Sequence, residues 1–194
     1  MRNAFYLGWR LLVVSLIAGV LLGAAYAVTK EPIAAQRTQQ AEASRQALFP
    51  DAEFEEIDVG MVKALSSQMP NPYDAVSGAY IARANGERQG VVVEIAAAGY
   101  GGDIGLSVGI GTDEKIVGIV VGTHNETPGL GAKASGQEFA GKFAGKATPL
   151  TVTKGNAGAN EIDALSGATV TSRGVTHAVN LSAKFAMMIL WGEG

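Results

Sequence analysis

The chain has 194 residues, 47% of them hydrophobic, with 26 glycines and a formal net charge of −3. That combination fits one turn-rich α+β domain of modest core plus an anchor, and it leaves no basic footprint for nucleic acid. With no cysteine and only two histidines, His124 and His177, the chain has no disulfide, thiolate zinc site, cysteine-held iron–sulfur cluster or attached c-type haem, so redox chemistry here needs an organic cofactor.

Residues 11–28 run without a charge, about the length that spans a bilayer. Trp9 and Tyr26 bracket the run, roughly 25 Å apart at helical rise, as an aromatic belt would. Arg2 and Arg10 precede it and Lys30 next to Glu31 follows it, a slight bias that puts the N-terminus in the cytoplasm and the rest outside. Ala25-Tyr26-Ala27 resembles a leader-cleavage site, so a cleaved signal is the competing reading; the apolar run exceeds a usual leader core, which favours an uncleaved anchor. Ser15 is the sole polar side chain in mid-span, and an ion path needs ionisable groups there, so this helix alone carries no ions. Gly19 and Gly23 form a G-x-x-x-G pair that suits close approach of another helix, or is chance in a glycine-rich chain.

After Pro32, residues 33–48 are free of glycine and rich in Ala, Gln and Arg, which predicts a helical stalk ended by Phe49-Pro50. From Phe54 the pattern turns strand-like. Residues 79–83, 91–97, 104–110 and 116–124 are β-rich runs separated by turn signals such as Asn85-Gly86, which predicts an antiparallel meander. Residues 135–143 predict a short helix capped by Ser135, and 150–153 one further strand. From Val175, apolar residues recur at helical spacing through Ala178, Val179, Ser182, Phe185, Ala186 and Ile189, the core-facing stripe of a closing helix. The resulting division is an anchor at 1–29, a stalk at 30–50 and a domain at 51–194.

Just before that helix stands Asp163-Ala-Leu-Ser166-Gly167-Ala168-Thr169. Read alone it is a turn before a helix, since Ser and Thr cap well and Gly is permissive; Ser-Gly-Ala-Thr arises by chance in roughly one chain of this length in two hundred. About forty residues earlier stands His124-Asn-Glu126-Thr127-Pro128-Gly129-Leu130-Gly131-Ala-Lys133. Together the two segments resemble the paired signatures of the FMN-binding domain family, D-x-x-[ST]-G-A-[TS] and H-x-E-T-P-G-L-G. The resemblance covers roughly residues 90–190. Within that family the length points to the G subunits of Rnf-type ion-translocating electron-transport complexes, and next to the C subunits of sodium-translocating NADH:quinone reductase.

The resemblance implies FMN held covalently by a phosphoester to Thr169, with the phosphate beside Ser166, Gly167 and Ala168 at a helix start, where N–H groups and the helix dipole favour an anion. It implies further cofactor contacts from Glu126, Thr127, Leu130, Gly131 and Lys133, with Leu130 on the flavin face and Thr127 or Lys133 as hydrogen-bond donors. A threonine hydroxyl is a weak nucleophile, and no base stands near it in sequence. Attachment is therefore expected from a separate magnesium-dependent flavin transferase that takes FMN from FAD and releases AMP. The implied role is an electron-transfer subunit on the inner membrane, working with other membrane and peripheral subunits and not catalytic alone. A flavin-based regulatory ectodomain and a non-redox adhesion ectodomain are the readings from other classes.

Overall fold

The computed structural model describes residues 2–64 and 71–192 and, within these, every side chain except those of residues 2–7 and 34, so the Arg2 side chain of the orientation argument lies outside it. The chain divides into two compact units, residues 1–40 and 41–194. A single helix, α1 (Arg2–Leu48), runs through the first and into the second, with Pro32 inside it. Proline usually kinks or ends a helix by removing one N–H and crowding the preceding turn, yet here anchor and stalk are one element. In the first unit Leu11, Val14, Leu21 and Leu22 are all exposed. The helix is long and apolar enough to cross a membrane, where such side chains meet lipid.

The last turns of α1 belong to the second unit. There Leu48 and Phe49 are buried with Ala52, Ala82 and Val92. The Arg45 guanidinium meets Glu94 at 2.7 Å and lies 4.1 Å from the Tyr80 ring centre. Burial, then the Glu94 charge, push the Tyr80 phenol above its ordinary value despite the opposing Arg45. The lower part of the expected stalk is thus packed onto the domain.

The sheet follows from alternation. Strands β1 (Glu53–Glu56), β2 (Val76–Ala84), β3 (Glu87–Ala98), β4 (Asp103–Gly111) and β5 (Ile116–Val121) pair antiparallel in chain order, with the short helix α2 (Val59–Ala64) between the first two. In β3, Val91, Val93, Ile95 and Ala97 enter the main core while Val92 joins the cluster beneath Leu48, as a period of two requires. Asn85 and Gly86, with φ of 54° and 81°, make the tight turn between β2 and β3. The fourth expected strand stops short of His124, ending at Val121, although Gly105 still bonds Gly122 and Thr123.

Beyond β5 come a 3-10 turn (Gly131–Ser135), the four-residue α3 (Gln137–Ala140) and two short parallel strands, β6 (Thr151–Thr153) and β7 (Glu161–Asp163). The expected helix over 135–143 is therefore broken. Gly136 and Gly141 bracket α3, and glycine is a poor helix former. Ser135 does not cap it, because its hydroxyl turns back to the Ala132 carbonyl at 2.8 Å. The closing helix α4 (Thr169–Trp191) packs on β3 and β4. All seven residues of its expected stripe are buried, and each large apolar one contributes about 1.5–3 kcal/mol. The Asn180 amide exchanges two 2.8 Å hydrogen bonds with the Leu150 backbone, tying α4 to the segment that leads into β6.

Candidate functional site

Where α4 begins, a cavity of about 840 Å³ opens among Tyr100, Glu126, Thr127, Leu130, Gly131, Lys154, Gly155 and residues 164–171, within the size range of small-molecule sites. Four segments build it, one of them the Lys154-Gly155 turn after β6. Of the others, the first is the Gly99–Gly102 turn after β3, which presents Tyr100. The second is the loop from Glu126 to Gly131 after β5. The third is the descent from β7 through Ser166 and Gly167 into α4.

Local chemistry fixes the third segment. Gly167 has φ 74°, a left-handed conformation that suits glycine, and a Cβ there would lie 3.0 Å from Leu130 Cδ2. The next residues turn helical: Ala168 N–H donates to the Leu165 carbonyl at 3.0 Å, and Ser172 N–H to the Ala168 carbonyl at 3.1 Å. Ser172 Oγ accepts from Leu165 N–H at 2.9 Å. Ala168 stands at the N-cap, with no side-chain cap bond and no acidic residue in the first turn. A helix start leaves N–H groups without intrahelical partners, and here it borders the cavity.

Glu126 stitches the walls together. It is buried, accepts Gly101 N–H at 2.8 Å, and accepts the Thr171 hydroxyl at 2.5 Å. Its loop continues to Gly131, where any Cβ would collide with Glu126 Oε2 and crowd Thr171 Oγ1. Burial pushes the Glu126 carboxyl up, but the Thr171 hydroxyl, the Gly101 and Tyr100 N–H groups and nearby His124 outweigh it and hold the group below its ordinary 4.5. A carboxyl lowered on folding adds stability above its unfolded value and loses it as pH falls through the folded one. The melting temperature of Glu126→Gln should therefore lie below wild type at pH 7, with the gap closing as pH drops below about 4.5. A constant gap across that range contradicts the assignment.

Of the residues anticipated from sequence, Glu126, Thr127, Leu130, Gly131, Ser166, Gly167, Ala168 and Thr169 all line this one cavity. Lys133 does not; it is exposed on the 3-10 turn, and the lysine at the cavity is Lys154. Sequence reading passed over Tyr100 and Lys154. Their only signals were an aromatic among three glycines and a lysine before Gly155-Asn156, both with positive φ. Asp163 also lies outside the lining: it ends β7, accepts Lys142 Nζ at its carbonyl, and keeps a buried Oδ1 without a partner. Thr169 is half-buried on the cavity wall, whereas Thr171 is 1% exposed with its hydroxyl committed to Glu126.

The FMN-binding domain family matches residues 99–184, which include every lining residue. The chain is 38% identical to the G subunit of the Na(+)-translocating ferredoxin:NAD(+) oxidoreductase complex of Acetobacterium woodii, over 93% of this chain and 90% of that one. It is 33% identical to the G subunit of the proton-translocating ferredoxin:NAD(+) oxidoreductase complex of Clostridium ljungdahlii, over 92% and 89%. Among solved structures, the C subunit of Na(+)-translocating NADH-quinone reductase from Parabacteroides distasonis matches with TM-score 0.51 at 26% identity, covering 60% of this chain and 64% of that one. Shewanella oneidensis NqrC matches with TM-score 0.56 at 20% identity over 77% and 86%, a likeness of fold. With matches that run nearly end to end along its relatives, this chain belongs to the FMN-binding domain family, among the G subunits of ion-translocating oxidoreductase complexes.

Proposed function

We propose that this chain carries FMN as a phosphoester on Thr169 and relays electrons, as a membrane-anchored subunit, inside an Rnf-type ferredoxin- and NAD-linked ion-translocating complex. The observation that carries the reading is the single cavity on which the Ser166–Thr169 turn, an uncapped helix start and the Glu126–Gly131 loop converge. These residues fit the group. The first N–H groups of α4 favour a phosphate at Thr169, with Lys154 as a cation lining the same cavity. Leu130 and Tyr100, 43% and 76% exposed, offer apolar surface for a flat ring. FMN supplies one- or two-electron transfer when bound; the chain's own residues hold, orient and shield it.

Thr169 is favoured over Thr171 because both line the cavity but Thr171 is buried with its hydroxyl committed to Glu126. The one carboxylate on the cavity wall, Glu126, is hydrogen-bonded to Gly101 and Thr171, so it is not a base for Thr169. That supports attachment by a separate transferase. The Arg2 and Arg10 bias orients the chain with its N-terminus in the cytoplasm and residues beyond about 30 on the other side.

A membrane experiment tests both parts. A C-terminal alkaline phosphatase fusion should be active and the matching cytoplasm-dependent fluorescent fusion dark. The tagged chain should bring down other redox subunits from its own membranes. An inactive phosphatase with a bright fluorescent fusion reverses the orientation, and a chain that purifies without redox partners contradicts the role in a complex.

A further inference from the structure

Glu126 is the only acidic side chain among the described residues that is buried, and none of them places a lysine or arginine within ion-pair distance of it. Burying a carboxylate without a counter-ion is costly unless hydrogen bonds hold the charge. Here the bonds come from two different segments at the cavity: Gly101 N–H on the turn after β3, and the Thr171 hydroxyl on the first turn of α4, two residues beyond Thr169. The surrounding backbone makes room for this group. A Cβ at Gly99 would collide with Glu126 Oε1, and one at Gly131 with Oε2. Three glycine-permitted close approaches, at 99, 101 and 131, thus surround the loop that carries one carboxylate.

A carboxylate with both oxygens engaged by the protein is poorly placed as a ligand or proton carrier. What remains is its charge and its grip on the two segments. We propose that Glu126 is a positioning residue whose fixed negative charge clamps the walls of the flavin cavity and lowers the reduction potential of the flavin held there. This rests on the reading of the cavity as the FMN site. Glu126 exchanges neither proton nor electron in this account; added electron density is disfavoured by a nearby negative charge in a partly desolvated setting. A unit charge within roughly 10 Å, at an effective dielectric near 20, shifts such an equilibrium by about tenfold.

The variant that isolates the charge is Glu126→Gln. Its amide oxygen can still accept Gly101 N–H while its NH2 donates to Thr171 Oγ1, which rotates to accept. Thr171→Val does the opposite: it cuts one wall from the clamp and leaves the charge. The full-length chain is purified in detergent, flavin loading is read on a denaturing gel, and the potential is read by spectroelectrochemical titration. The expected result is a loaded E126Q whose oxidised-to-reduced equilibrium moves about tenfold toward the reduced form, about 59 mV per electron. Loaded T171V should show no comparable rise.

A loaded E126Q at the wild-type potential overturns the inference while leaving the FMN site intact. So does T171V rising as far as E126Q, because geometry and not charge would then set the potential. If E126Q folds without flavin, Glu126 builds the site rather than setting its potential, and the inference is overturned as well. A wild-type chain that carries no flavin overturns the site assignment, and this inference with it.

Discussion

Thr169→Ala should abolish covalent flavin while leaving the domain folded. Denaturing gels of the wild-type chain should fluoresce at its mass, and those of the variant should be dark. Thr169 starts α4 half-exposed on the cavity wall, so losing its hydroxyl and methyl costs little, within about 0.5 kcal/mol. Thr171→Ala makes the control. It removes a buried hydroxyl from Glu126, which should cost about 1–3 kcal/mol yet leave the fluorescent band in place. A dark Thr171→Ala gel beside a bright Thr169→Ala gel would exchange the two assignments.

Gly174→Val should cost about 3 kcal/mol, at the upper end for overpacking, and loosen the flavin site as well. A Cβ at Gly174 would run into the backbone carbonyl of Ala98, the last residue of β3. Backbone cannot swing aside as a long side chain can, so α4 must lift from the sheet near its start. That is where the helix meets the cavity, and Ala98 leads directly into the turn bearing Tyr100 and Gly101. For a domain of this size the loss corresponds to roughly 6–12 °C in melting temperature. A variant melting within about 2 °C of wild type would show that the helix does not need this close approach.

Gly174 also illustrates where the sequence stopped being legible. The strands were readable because β-branched runs alternate between two faces, and α4 because its stripe repeats at helical spacing; both are local patterns. The glycines at 99, 101, 131 and 174 follow no periodicity, since each is set by a partner far along the chain: Glu126, Asn125, Thr171 or Ala98. The same holds for Tyr100 and Lys154, which reach the cavity only through the pairing of β3 with β4 and of β6 with β7. Motif likeness brought out the two site loops that periodicity could not. Lys133 lies outside the cavity lining, exposed on the 3-10 turn, a placement that position within a motif does not give. The helix over 135–143 failed for a local reason, the glycines at 136 and 141.

The proposed FMN phosphoester sits on one named threonine, and a single digestion reads it. Trypsin cuts after Lys154 and Arg173, so residues 155–173 leave as one peptide containing Ser166, Thr169, Thr171 and Ser172. Tandem mass spectrometry of that peptide from the wild-type chain should find FMN, less one water, on Thr169. An unmodified peptide, or the same mass placed on Ser166, Thr171 or Ser172, would contradict the account.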